Sequence, residues 1–395
     1  MPSHQLGGFA LALLGALALP TAGHAEPFVP ASDAAVLEQL PSAGDPLLRD
    51  LRDQRAALAQ SPGDLDIALS LAAAYVRLGR READPRYDGY AQAALATWWD
   101  LAEPPIPVLI LRATLRQRRH DFEAALADLE RVLARWPGHP QALLTRATIL
   151  GVQGKPAQAL DSCADLAGSV EILVEAACAA GAHGLDSRAR DGYRLLQEAL
   201  SRSPGAEPLL RVWALTILAE LAAQLGDSAA AEKRFREALT LERRDPYLLG
   251  AYADFLLDED RPAEVLELLD GESRIDPLLL RLTLAERRLG VAGLDEHVAL
   301  MQARFDAARR RGDSMHLREE ARFTLDLLDR PLRAVELALK NWATQREPSD
   351  ARILLEAAVA AQDPAAAQPV LDWLARTGLQ HVRLQALVDQ LAEAA

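Results

Sequence analysis

Apolar residues along most of this chain recur at steps of three and four, the spacing that places side chains on one face of an α-helix. In "GDSAAAEKRFREAL", Gly226 to Leu239, that spacing selects Ala231, Phe235 and Ala238 from a run of charged residues. Such a segment predicts an amphipathic helix with two close-approach positions, one aromatic wedge between them and charges on the remaining faces. Gly, Asp and Pro interrupt the pattern at short intervals, so the chain reads as many short helices joined by tight turns.

The interruptions are periodic. At an offset of 34 residues "LRATLRQRRHDFEAAL" aligns with "TRATILGVQGKPAQAL", so that Arg112-Ala113-Thr114 meets Arg146-Ala147-Thr148, His120 meets Gly154 and Ala125-Leu126 meets Ala159-Leu160. The same offset relates "AELAAQLGDSAAAEKRF" to "ADFLLDEDRPAEVLELL", matching Gly226 with Asp260 and Ala231 with Val265. Each unit reads as a helix, a turn at the Gly or Asp, and a second helix that often carries proline in its first turn, as at Pro156, Pro262 and Pro331. Proline is tolerated there because the first helical N–H groups lack an intrahelical partner. Small residues such as Ala113, Ala125, Ala147 and Ala159 allow antiparallel helices to approach, while Leu126, Leu129, Val132 and Leu133 fill the space beside them.

A period of 34 with paired helices, small residues in both and a Gly-led turn resembles the tetratricopeptide repeat family. The clearest carriers are "GDSAAAEKRFREAL", "RHDFEAALADLERVLARWP", and Leu71, Ala72 and Tyr75 with the turn at Gly79. The resemblance implies an all-α, right-handed α-solenoid of stacked antiparallel helix pairs, about nine of them, whose first helices line a concave groove. On that reading the chain divides into a Pro-rich entry segment (26–45), an N-terminal capping helix (46–63), regular repeats (64–275), divergent repeats (276–378) and a C-terminal capping helix (379–395). "READPRYDGY", residues 81–90, reads as extra sequence between the two helices of the first unit, either a binding insert or loop drift.

Residues 1–25 follow another pattern. The apolar run Leu6 to Leu19 is followed by Pro20 and by Gly23-His24-Ala25, with small residues at cleavage-type positions, which predicts a secretory signal removed after Ala25. Ahead of the run stands His4 with no Lys or Arg, so a retained N-terminal helix is the competing reading. The run is shorter than a membrane span needs, and no later run approaches that length. These features predict a periplasmic or secreted protein with no stable membrane span after cleavage.

Composition narrows the partners. Half of the 395 residues are hydrophobic, 5% are aromatic and the net charge is −14, which disfavours nucleic acid as a partner. The basic knots at Arg118-Arg119, Arg243-Arg244 and Arg309-Arg310-Arg311 fall near helix ends, where cations favour the negative pole of the dipole. Cys163 and Cys178 lie in a second helix and the following first helix, on either side of Gly168 and Ser169-Val170. A hairpin there brings them level, which in an oxidising compartment predicts a disulfide; two buried thiols are the alternative. With His183 they fall short of a structural zinc set, so no metal and no cofactor are expected. "GVQGKP" lacks the Gly and Ser/Thr of a phosphate loop and reads as an inter-helix turn. "LDED" lacks calcium-loop spacing.

If the first helices line a groove, Arg77, Thr114, Arg118, Thr148, Trp213, Thr216, Glu220, Tyr247 and Asp254 fall on or near its face, with Trp213 and Tyr247 either anchors or inter-repeat packing. Trp98-Trp99 is a further candidate anchor. The expectation is therefore an exported, non-enzymatic scaffold that binds a protein or peptide of the cell envelope, in assembly, export or secretion, as the resemblance implies. The alternative is a carrier or chaperone for a small ligand or metal ion, with Cys163, Cys178 and His183 as its nucleus.

Overall fold

The computed structural model describes Ser32, residues 46–313 and residues 315–394; the signal-type segment 1–25 and all but Ser32 of the entry segment 26–45 lie outside the described residues. The chain divides into residues 1–50 and a large unit, Leu51–Ala395. The architecture below is that of the large unit.

Among the described residues every regular element is a helix. Helix α1 (Pro46–Gln60) precedes α2 (Leu65–Glu82) and α3 (Arg86–Ala94), and the one-turn α4 (Ala96–Trp99) follows. Then come α5 (Ile106–Arg118) with α6 (Phe122–Arg135), α7 (Pro140–Val152) with α8 (Pro156–Ala164), α9 (Ile172–His183) with α10 (Ala189–Arg202), and α11 (Pro208–Gln224) with α12 (Ser228–Leu241). The later pairs are α13 (Pro246–Asp258) with α14 (Pro262–Leu268), α15 (Asp276–Leu289) with α16 (Leu294–Arg310), α17 (Leu317–Asp326) with α18 (Pro331–Trp342), and α19 (Pro348–Ala361) with α20 (Pro364–Thr377), before α21 (Val382–Ala394). Members of each pair pack on one another, and each first helix also packs on the next first helix, as α5 does on α7 and α11 on α13.

Local chemistry sets the boundaries. Asp64, Asp227 and Asp245 cap α2, α12 and α13 by accepting from backbone N–H groups three residues on, at 2.9 to 3.1 Å. Pro156, Pro262 and Pro331 each sit in the first turn of a second helix. The aligned turn residues His120, Gly154, Gly226 and Asp260 all adopt the left-handed backbone conformation, with φ of 58°, 70°, 83° and 54°. Asp329 and Gln362 repeat it in the last two pairs. Repeat spacing thus dictates a backbone conformation that only some units fill with glycine.

The periodic small residues are where the helices meet: Ala113, Ala125, Ala159, Ala231 and Ala238 are buried, with Phe235 wedged beside Tyr252 at 5.1 Å between ring centroids. "READPRYDGY" is not an insert between helices. Arg81 and Glu82 end α2, Arg86 to Tyr90 open α3, and only Ala83 to Pro85 form the turn. Its tyrosines instead complete a ring cluster, Tyr87 and Tyr90 lying 6.1 and 5.6 Å from Tyr75.

The last pairs do not continue away from the first. Arg346 donates its backbone N–H to the Val152 carbonyl at 2.7 Å, Trp373 Nε1 lies 3.4 Å from the Gly154 carbonyl, and Gln224 donates to the Gln380 carbonyl at 2.7 Å. Arg352 and Arg383 both pair with Asp258, at 2.8 and 3.0 Å. The superhelix therefore closes on itself, and its first-helix face becomes the wall of an interior.

Candidate functional site

That interior is polar. On α11 and α13, Glu220 accepts a hydrogen bond from Tyr247 Oη at 2.8 Å. Tyr247 is 66% exposed, yet Glu220, Glu347 and Arg318 surround it electrostatically, so its ring faces an open space inside the superhelix. Arg318 comes from α17 and Glu347 from the start of α19, and Arg318 also serves Glu319 and Asp350, at 3.2 and 3.4 Å. Asp350 accepts from Asn341 Nδ2 at 2.8 Å and from the Glu347 backbone N–H at 2.9 Å, closing the capping box of α19.

The carboxylates here exceed the cations that face them. Burial, against the Tyr247 hydrogen bond and with the charges of Glu347 and Asp254, pushes Glu220 up to about 7. Burial and the neighbouring Asp350 raise Glu347 likewise, against the pull of Arg318. The Glu220 charge, with desolvation by the surrounding walls, holds the Tyr247 phenol well above its usual range although its ring stays open to the interior. Asp254 behaves oppositely: burial opposes its ionisation, but Arg281 and Arg322 outweigh burial and keep its carboxyl far below the usual range. Burial, reinforced by Arg318, lowers His120. His120 also borders a cavity of about 320 Å³ between the α5–α6 turn, the α7–α8 turn and the α18–α19 loop, with Glu123, Lys155 and Arg346 on its wall.

Of the residues expected to line a groove, Glu220 and Tyr247 are joined and Asp254 lies within electrostatic reach of both Glu220 and the two arginines. Thr216 is corrected: it is 3% exposed, and its hydroxyl donates to the Val212 carbonyl one turn back. Trp213 is half-buried against the central core, as in the packing alternative. Thr114 and Thr148 bond the carbonyls of Ile110 and Leu144 in their own helices, and Arg118 is paired with Asp88 at 2.8 Å. Arg77 is exposed on α2. Trp98 and Trp99 are half-buried, with the Arg116 guanidinium over the Trp99 ring. Arg318, Arg322 and Glu347 were not among the expected residues, because a repeat reading places their helices further along an open solenoid.

Cys163 and Cys178 are joined by a disulfide between α8 and α9, with Cα atoms 5.6 Å apart. Both sulfurs are thereby consumed, and His183 faces Asp186 at 3.5 Å, so this trio offers no thiolate ligands. Among the described residues no group of three or more His, Cys, Asp or Glu side chains is placed to hold a metal ion. "GVQGKP" forms the end of α7, its turn and the start of α8.

No family model matches the chain, and no curated protein matches it. Among solved structures it is similar to a tetratricopeptide repeat protein from Parabacteroides merdae, at 17% identity over 65% of this chain and 92% of that chain, with a TM-score of 0.41. It is also similar to yeast Tom70, at 11% identity over 88% and 91% with a TM-score of 0.31, and to the TPR domain of P58(IPK), at 15% over 87% and 94% with a TM-score of 0.24. With TM-scores this low, none of the three bears on the path of this superhelix or on what it binds. The all-α repeat architecture rests on the chain's own helix pairs.

Proposed function

We propose that this chain is an exported, non-enzymatic scaffold that takes a protein or peptide segment of the cell envelope onto the inner wall around Tyr247. The carrying observation is the Tyr247–Glu220 pair: a mostly accessible aromatic ring, fixed by a hydrogen bond, stands inside a polar wall with Arg318 and Glu347. A tyrosine whose ring is open and whose hydroxyl is already oriented loses little side-chain freedom on binding, as interface anchors commonly do. Carboxylates and guanidinium groups around it offer both signs of charge to an extended backbone and its side chains. Export is supported by the signal-type pattern of residues 1–25 and by the disulfide, which suits an oxidising compartment.

The test is capture from an envelope extract of the source cell by the chain from Glu26 onward, beside its Tyr247→Ala and Glu220→Gln variants, followed by hydrogen-exchange mapping of the bound complex. The reading requires a retained protein that the Tyr247→Ala variant loses while keeping its helicity, and protection confined to the inner wall. Retention that is indifferent to Tyr247, or protection on the outer helices, would sink it. Intact mass of the exported chain decides cleavage after Ala25.

A further inference from the structure

The contacts that close the superhelix form a seam of unusual chemistry. On one side stand Val152, Gly154, Ser187, Gln224, Gly226 and Asp258; on the other Arg346, Arg352, Trp373, Gly378, Gln380, Val382 and Arg383. The seam is held by polar contacts: guanidinium to carboxylate, amide to carbonyl, indole N–H to carbonyl. Gly378 and Gly226 meet Ser187 and Val382 at 3.3 Å from where a side chain would begin, so the two faces are in van der Waals contact.

The apolar cores do not cross it. The core of α18–α21, built on Trp342, Leu354, Val370 and Trp373, takes nothing from before Leu317 of α17, and the central core ends at Leu327 and Leu328. Helix α17 belongs to both: Phe323 packs on Phe305, 5.3 Å between ring centroids, while Ala321 packs into the terminal core. A block with its own core, attached through one helix and touching the rest through polar contacts, has the interface of a mobile domain rather than of a fused one. Partly exposed ion pairs such as Arg383–Asp258 are individually weak and screened by salt.

We propose that α18–α21 form a latch: they close the superhelix through this polar seam, swing open from it about α17 as one body, and so control access to the Tyr247–Glu220 surface. The gating half of this proposal rests on the binding reading above; the opening half does not. Glu347 lies at the edge of the block and Tyr247 on the fixed wall, so opening separates the two and widens the space between them.

The experiment uses two variants. Arg352→Ala with Arg383→Ala removes both guanidinium groups from Asp258 without touching either core. Ser187→Cys with Gly378→Cys places two thiols across the seam where the Gly378 side chain would start 3.3 Å from Ser187 Cβ, close to disulfide reach. By small-angle scattering the first variant is expected to have a larger radius of gyration than wild type at equal helicity. Amide exchange in the 152–154 turn and around Gln380 and Arg383 should be several-fold faster, and the oxidised second variant should reverse both trends. Unchanged size and exchange in the first variant overturn the latch; should it fail to fold, identical exchange in the oxidised second variant and wild type overturns it instead. A displayed dodecapeptide library is then panned on wild type and on both variants. Enrichment several-fold higher on the opened variant, and lost on the locked one, supports gating. Equal Tyr247-dependent enrichment on all three overturns gating and leaves the binding reading intact. No Tyr247-dependent enrichment on any overturns the binding reading and the gating with it, while scattering and exchange still decide the opening.

Discussion

Glu220 is a carboxylate placed where its charge is opposed, and that position has a measurable sign. Its folded value of about 7 lies above the ordinary 4.5, so its contribution to stability is fully present below about pH 4.5 and is lost as the pH rises through 7. Replacement by glutamine keeps a partner for Tyr247 and removes the titration. The urea midpoint of wild type should therefore fall more steeply than that of Glu220→Gln between about pH 5 and pH 8, Glu347 supplying the slope that remains. Parallel profiles would refute the assignment. The turn residues give a second check. Gly226, at φ 83°, should lose about 1–2 kcal/mol on replacement by alanine, whereas Asp260, at φ 54° in the equivalent turn, should gain up to about 1 kcal/mol on replacement by glycine. Both follow from denaturant unfolding, and both were legible in the alignment of Gly226 with Asp260, because a repeated backbone conformation leaves a repeated position even where the residue type drifts.

Between elements, the alignment also carried information that residue type disguised. Arg112 is 5% exposed and makes a bidentate pair with Asp128 of the partner helix at 2.7 and 2.8 Å; one repeat on, Arg146 reaches Ser162 at 2.9 Å. The 34-residue offset relates both donors and both acceptors, yet an arginine on an amphipathic helix reads as solvated until its helix is seen to be covered. Arg112→Ala leaves Asp128 buried with Arg116 at 2.7 Å and Arg131 at 3.9 Å, and should cost about 3 kcal/mol by urea unfolding. The α8–α9 disulfide was readable for the opposite reason: a hairpin places residues symmetric about its turn side by side. Closing a loop of 15 residues, it should contribute on the order of 3 kcal/mol, seen as a lower midpoint for Cys163→Ala with Cys178→Ala. "READPRYDGY" misled because its Pro and Gly signal a loop, whereas the helices on either side absorb it and Tyr75, Tyr87 and Tyr90 pack the junction.

For the whole molecule, the sequence carries the neighbour contacts and not the distant ones. Periodicity reports which helix packs on the next, since each pair repeats the same small and large positions; the path of the superhelix is the sum of small rotations that no single position encodes. Closure between Gly154 and Trp373 is therefore invisible in the 34-residue pattern, and with it the conversion of an open groove into an interior. The same quasi-linear construction predicts how the molecule comes apart. Among its buried apolar residues three larger clusters stand apart, one around Leu109 to Cys178, one around Leu173 to Leu327 and one around Ala321 to Leu391. Stability in such an array is a sum over units and their interfaces, so blocks joined by polar contacts need not unfold together. Calorimetry of the full chain should give a measured enthalpy larger than the van't Hoff enthalpy. Exchange at increasing denaturant should release α18–α21 before the block stapled by Cys163 and Cys178, because only the latter carries a covalent limit on its unfolded state. A single transition with equal enthalpies and simultaneous release would mean that the polar seam couples the blocks as tightly as a shared core.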